Sequence, residues 1–344
     1  MKLRLGFLGV GAMGLSHLKA FAQDHSADTE IAAICARNPD NISKALAVAP
    51  AARVHKDEAS LLESDIDAVV VSTPNFTHVP LALKALEFRK HVFLEKPCGI
   101  NREESAALVD TSATSDRVVV IGHELRYSPY FQAIHRLVHA GDIGRPQMVW
   151  TREFRGPFQK KSDDWIQDSR RSGGTLVDKN CHHFDLMNWW IGSRPERVTA
   201  FGGCAVNRVR SDEHQVSDHA TVGWEYANGV RGTLQLCMFV RDFPDEELEM
   251  GIVGETGMLQ TRIADLAILQ WNRGKPNQPT VHEVNAHRGQ GWGGHLGFAE
   301  IHHAFIRAIQ TGEKPLTTPK ACVDGTLLAI AAEESIRRGE TLNL

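Results

Sequence analysis

Paired cysteines are missing from this chain. Its six cysteines, Cys35, Cys98, Cys181, Cys204, Cys237 and Cys322, form no CxxC spacing, which reads as reduced thiols in a cytoplasmic protein. Long hydrophobic runs are missing too, so no stretch is long enough to cross a bilayer. The opening MKLRLGFLGVGAMG is too short in its apolar part, is broken by glycine and lacks a small-residue cleavage site, unlike a secretion signal. There is no basic run, and a net charge of −4 gives no electrostatic case for nucleic acid or a membrane surface. Internal repeats and low-complexity segments are likewise absent. What is present is ordinary globular composition: 344 residues, 42% hydrophobic and 23% charged, enough for about two domains.

The first third alternates strand and helix patterns. LRLGFLGV, EIAAICA, DAVVVSTP, HVFLEKP and RVVVIGHE read as buried strands. LSHLKAFA, NPDNISKALAVA, HVPLALKALEF and REESAALVDTSA carry helical spacing, with Asn38 as N-cap and Pro39 at the first helical position of the second. Such a series predicts a doubly wound parallel sheet covered on both faces. In that setting Gly9, Gly11, Ala12, Met13 and Gly14 make a GxGxxG turn between strand and helix. Gly9 permits the tight turn, Gly11 lets backbone approach a pyrophosphate, and Gly14 allows close helix–strand packing. The turn predicts a dinucleotide. At the end of the second strand Ala36 stands where NAD enzymes usually place a carboxylate, and Arg37 follows. The missing acid and the guanidinium favour NADP over NAD; the alternative is that Arg37 is a solvated loop residue that discriminates nothing.

Beyond residue 123 the pattern changes. After one more helix, SPYFQAIHRLVHAGDIG, come alternating strands with hairpin cues at Asn228-Gly229 and around Gly254 to Gly257. Two helices close the chain, the first read from Gly294. The expectation is a nucleotide domain over 1–123 and a substrate and oligomerisation domain over 124–344. The second is α+β, with a large, mostly antiparallel, open-faced sheet. Helices cover one face of such a sheet and the other is often used for self-association, so a homodimer or homotetramer is expected.

The stretch TLVDKNCHHFDLMNWW, Thr175 to Trp190, mixes charge into an apolar run. As one α-helix capped by Thr175, it puts Asp178, His182 and Asp185 within about 40° of one face. A carboxylate–imidazole–carboxylate line is an arrangement for proton transfer. The same residues admit a plainer account: Asp178 as a capping-box acid and His182 as a satisfied core histidine. A zinc site from Asp178, Cys181, His182 and Asp185 is disfavoured, since Cys181 falls on the wrong face and no CxxC supplies partners; no metal is expected. Lys96, in EKP at the end of HVFLEKP, lies where ligands bind in open α/β sheets. There it can hydrogen-bond a substrate hydroxyl and favour its ionised form.

In these motifs the chain resembles the glucose–fructose oxidoreductase / inositol dehydrogenase / MocA-type (Gfo/Idh/MocA) oxidoreductases. The resemblance rests on GVGAMGLSHLKAF, VVVSTPNFTHVPLALKALEFRKHVFLEKP, RYSP and GGTLVDKNCHHFDLMNWWIG. It implies a Rossmann domain followed by an open-faced α/β domain. It also implies Lys96 at the substrate, Asp178 binding substrate and His182 as the catalytic base. Ser72, Thr73, Pro74, Asn75 and His78 would form a loop beside the cofactor, with Glu95 near the nicotinamide. His123, Arg126 and Tyr127 would border the substrate. Lys179 and Asn180 depart from the family's usual small, apolar pair. The implied reaction oxidises a secondary alcohol of a sugar, cyclitol or polyol. His182 takes the hydroxyl proton, while Lys96 steadies the alkoxide and lowers the His182 pKa by like charge. A nicotinamide-dependent glycosidase and a cofactor-sensing binding protein are the alternatives.

Overall fold

The computed structural model describes residues 2–240, 247–275, 277–286 and 295–344. Two compact units emerge, 1–128 with 287–323 and 129–286 with 324–344.

In the first unit the chain runs β1 (Leu3–Leu8), α1 (Ala12–Gln23), β2 (Thr29–Cys35), α2 (Pro39–Val48), β3 (Arg53–Val54), α3 (Glu58–Leu62), β4 (Ala68–Val71), α4 (His78–Glu87), β5 (His91–Leu94), α5 (Arg102–Thr114) and β6 (Val119–Ile121). All neighbours pair in parallel, in the order β3-β2-β1-β4-β5-β6. The order reverses between β1 and β4, and the crevice at that switch point is where such sheets take ligands. Asn38 caps α2 by accepting from the backbone N–H of Asp40 and Asn41, with Pro39 at the helix start, as the sequence predicts. The two-residue β3 and the short α3 carry too few residues to show a period.

The second unit contains α6 (Pro129–His139), β7 (Pro146–Phe154), α7 (Ser169–Ser172), α8 (Cys181–Ile191), β8 (Pro195–Gly203), β9 (His219–Tyr226), β10 (Arg231–Cys237), β11 (Glu247–Gly254), β12 (Gly257–Arg262), β13 (Ala267–Asn272) and β14 (Thr280–Glu283). With α9 (Phe298–Thr311) the chain is back in the first unit. It passes to the second within α10 (Pro319–Arg338) and ends in β15 (Leu342–Asn343). Gly294, where a helix was expected to start, lies outside the described residues.

The large sheet is ordered β14-β13-β12-β11-β7-β10-β9-β8-β15 and is antiparallel except where β7 and β10 run parallel. Burial alternates along its strands: Ala220, Val222, Trp224 and Tyr226 of β9 are buried, as are Leu234 and Leu236 of β10. The register places Phe201, Thr221, Gln235, Arg152 and Glu249 in one row on the opposite face. Phe201 is 73% exposed there, and Arg152 pairs with Glu249 at 3.1 Å. One face is therefore packed and the other open.

In the first unit the apolar face of α9 closes the core: Ile301, Phe305 and Ile306 join Leu18 and Phe21 of α1 and Phe93 of β5 in one buried cluster. On the other side of the same sheet Val69, Val71, Val92 and Leu94 pack with Leu61, Ala82, Ala85 and Leu108.

Candidate active site

In the first unit the glycine turn and the loop after β4 meet at the switch point. Ser72 Oγ donates to the Gly9 carbonyl at 2.8 Å. A Cβ on Gly14 would stand 2.3 Å from that same carbonyl oxygen and 2.6 Å from Ser72 Oγ, and Gly9 has φ +86°. Both positions therefore demand glycine. A Cβ on Gly11 would meet nothing within 4 Å, and Gly11 caps α1 without any side-chain hydrogen bond. Bare backbone donors at a helix start with open space above them fit a pyrophosphate. Ala12 is exposed and Met13 half-buried beside them.

The STPNxxH loop is held by its own side chains. Thr77 Oγ1 donates to Thr73 Oγ1 at 2.6 Å, and His78 Nε2 donates to the Thr73 carbonyl at 2.8 Å. Asn75 and His78 are buried, and Pro74 is half-buried. Burial lowers the His78 pKa, so the imidazole stays neutral. At the end of β2, Ala36 is half-buried and Arg37 exposed. Burial raises the Cys35 thiol there, Glu58 and Asp57 add to the rise, and Arg37 opposes it.

Glu95 and Lys96 follow β5. Lys96 is half-buried, whereas Glu95 is buried and accepts from His17 Nε2 at 2.7 Å. Burial alone would raise the Glu95 carboxyl, but the His17 hydrogen bond and the neighbouring Lys96 ammonium bring it below its usual value. His123, Arg126 and Tyr127 are all buried. Arg126 donates to the carbonyls of Ala321 at 2.9 Å and Leu316 at 3.4 Å, and Tyr127 Oη accepts from the Leu316 N–H at 3.0 Å. These contacts give Arg126 and Tyr127 a structural part in holding the first turn of α10 and the segment before it.

In the second unit the helix expected from Thr175 has a different first turn. Leu176–Asn180 is a π-helical turn, and α8 begins only at Cys181. Thr175 is not its side-chain cap; its hydroxyl donates instead to the Ser217 carbonyl. The i→i+5 bonding of a π turn is wider than 3.6 residues, so the 100° step that placed Asp178 on one face with His182 and Asp185 does not hold across it. His182 and Asp185 share α8; Asp178 reaches its place through the π turn. Asp178 and Asp185 are buried and His182 is half-buried.

Glu153, which sequence reasoning missed, fixes this turn to the sheet. Lys179 Nζ lies 3.3 Å from Glu153 Oε1, and Asn180 Nδ2 donates to Oε2 at 2.9 Å. His183 Nδ1 lies 3.6 Å from Oε2, and Arg155 donates to Oε1 at 3.2 Å. Burial would raise the Glu153 carboxyl; Lys179, His183 and Arg155 outweigh it and hold it at about 2. Lys179 and Asn180, the residues that depart from the family pattern, are thus committed to β7. A signal existed: Glu153 shares the inward parity of Val149 and Thr151 in β7, where a lone acid needs a buried partner.

The N-terminal side of the π turn rests on Glu333 of α10. Its Oε1 accepts from the Leu176 N–H at 2.7 Å. Gly174 has φ +103°, and a Cβ there would stand 2.4 Å from the Glu333 carboxyl carbon. Burial pushes that carboxyl up to about 7, against the pull of the Leu176 N–H and Arg337.

Comparison with known proteins matches this architecture. Residues 3–123 match the oxidoreductase family with an NAD-binding Rossmann fold, and residues 131–260 match the GFO/IDH/MocA C-terminal domain. Inositol 2-dehydrogenase of Rhizobium meliloti is 31% identical over 62% of this chain, which spans 62% of that protein's length. Inositol 2-dehydrogenase 4 of Saccharopolyspora erythraea is 30% identical over 68% of this chain and 67% of its own. The WlbA dehydrogenase of Bordetella pertussis, solved with NADH and UDP-GlcNAcA, superposes with a TM-score of 0.82. That match covers 100% of this chain and 99% of its own at 21% identity, a likeness of fold. Matched along both halves and to a relative over two thirds of its length, the chain belongs to the Gfo/Idh/MocA oxidoreductase family.

Proposed function

We propose that the chain is a nicotinamide-dependent dehydrogenase that interconverts a secondary alcohol and a ketone on a sugar, cyclitol or related polyol. The observation that carries this reading is Lys96, half-buried directly after β5 in the same unit as the open glycine turn. The inositol dehydrogenases among its relatives support a polyhydroxylated ring as substrate.

When bound, the nicotinamide supplies the hydride acceptor. His182 removes the hydroxyl proton as general base. Asp178 orients His182 or holds a neighbouring hydroxyl, and the Lys96 ammonium stabilises the alkoxide as it forms. His123, Arg126 and Tyr127 border the substrate, the last two by shaping the wall. Gly9, Gly11, Ala12, Met13 and Gly14 hold the pyrophosphate, and Ser72 to Asn75 with His78 line the cofactor. NADP is the preferred form: Ala36 removes the carboxylate that would repel a 2′-phosphate, and the exposed Arg37 is available to pair with one. The active form is a homodimer or homotetramer joined through the open face of the large sheet.

The test is a panel of sugars and cyclitols under NADP and NAD separately, followed by reduced-nicotinamide absorbance. Net reduction with one or more members is expected, larger with NADP. The variant Ala36→Asp should shift kcat/KM towards NAD by about tenfold or more, because the new carboxylate repels the phosphate. Cleavage of a glycosidic substrate without net change in reduced cofactor would replace this reading by a glycosidase.

A further inference from the structure

The first unit buries a row of titratable side chains that the mechanism above leaves unused. Glu95 follows β5, His17 lies on α1 and His302 on α9. Their exposures are 7%, 1% and 0%, among Phe21, Phe93 and Phe298. His17 Nε2 lies 2.7 Å from Glu95 Oε1, and His17 Nδ1 lies 2.7 Å from His302 Nε2. The Nδ1 of His302 is buried and has no hydrogen-bond partner, and neither has Nε2 of His25, whose ring centre is 6.1 Å from that of His302. The exposed His303 stacks on His25 at 6.4 Å.

The proton positions follow from the bonds. An ionised Glu95 only accepts, so a single proton on His17 sits on Nε2. Its Nδ1 is then an acceptor, His302 donates from Nε2, and His302 Nδ1 is left as a bare lone pair. Every N–H in the row points toward Glu95. A merely structural network would satisfy all its members, and phenylalanine or leucine would fill this space at lower cost. The unmatched Nδ1 leaves one end of the row without a partner.

We propose that His302 and His17 form a proton relay that loads and unloads Glu95, and thereby sets the charge beside Lys96 during turnover. A proton from the His25 side bonds to His302 Nδ1. The His302 Nε2 proton passes to His17 Nδ1, and the His17 Nε2 proton passes to the Glu95 carboxylate. One proton enters, Glu95 becomes neutral, and the Lys96 ammonium is freed from its neighbouring negative charge; the reverse sequence discharges the row. Facing Glu95 are His17, Lys96 and His78; facing His302 are His17 and His25; and around His25 stand Asp24, Asp28 and His303. Burial, with His17 and His25 adding to it, keeps the His302 imidazole neutral at rest. The assignment rests on the dehydrogenase reading only for the part Lys96 plays.

Two measurements on the whole protein test it. In ¹⁵N-histidine NMR spectra, both His17 and His302 should be neutral Nε2–H tautomers; a His302 protonated on Nδ1 would overturn the relay whether or not any substrate turns over. In turnover assays, His302→Gln keeps a donor for His17 but cannot relay, and His302→Phe keeps the ring packing alone. Both should lower kcat by about 10- to 100-fold, less than the roughly 10²- to 10⁴-fold of a general acid or base acting directly on substrate. The kcat–pH profile should shift and KM should change little. Parent-like kcat and pH profile in His302→Gln would reduce the row to a structural hydrogen bond. A parent that turns over nothing, with the expected tautomers, would instead count against the dehydrogenase reading and leave the relay standing.

Discussion

Lys96 and His182 carry the reaction in the proposed mechanism, one by charge and one by proton transfer. Lys96→Met and His182→Asn should each reduce kcat by about 10²- to 10⁴-fold, with cofactor affinity, followed by fluorescence titration, nearly unchanged. Normal turnover by either variant would remove that residue from the mechanism. The signals that nominate these positions are local: EKP ends an apolar strand, and His182 shares α8 with Asp185, whereas the π turn cancels the four-residue step that grouped Asp178 with them. The glycines were legible for the same reason, and the close approaches at Gly9 and Gly14 show why. Glu153 and the pair His17–His302 were not. His302 finds its partner 285 residues away, and no spacing along the chain can announce that.

At the scale of the element, the π turn is the main difference from expectation. Five residues, LVDKN, are too short to show a π period, and the contacts on them are tertiary: Glu153 holds Lys179 and Asn180, and Glu333 holds the Leu176 N–H. π turns of this kind recur at functional sites. The Glu333 anchor makes stability depend on pH. Its folded pKa of about 7 is raised above the ordinary carboxyl value near 4.5. The folded state therefore holds a proton that the unfolded chain gives up. The stability it contributes is fully present below about pH 4.3 and is lost as pH rises through about 7. Glu333→Gln keeps the acceptor for Leu176 and removes the titration. The fall in melting temperature of the parent between pH 5 and pH 8 should shrink in the variant; an unchanged slope would show that Glu333 is ionised throughout.

At the scale of the molecule, the parallel sheet was legible from the βαβ alternation; its strand order, set by which crossovers go to which side, was not. The antiparallel character of the second sheet followed from its hairpin cues. The parallel pairing of β7 with β10 did not, since nothing local distinguishes a strand's direction. The open face bears on assembly: Phe201 is a large exposed side chain in a row of threonine, glutamine and paired charges. The parent is expected at two or four times 38.1 kDa by light scattering, and Phe201→Lys at a smaller multiple. A parent at 38.1 kDa would end the proposal of an oligomer.

The split of the first unit also governs the order in which the chain can mature. Phe21 and Phe93 wait for Ile301, Phe305 and Ile306 to complete their cluster. A ribosome delivers those residues only after making 129–286. For that interval the nascent nucleotide-binding half carries uncovered apolar surface, exposed to aggregation until α9 emerges and docks.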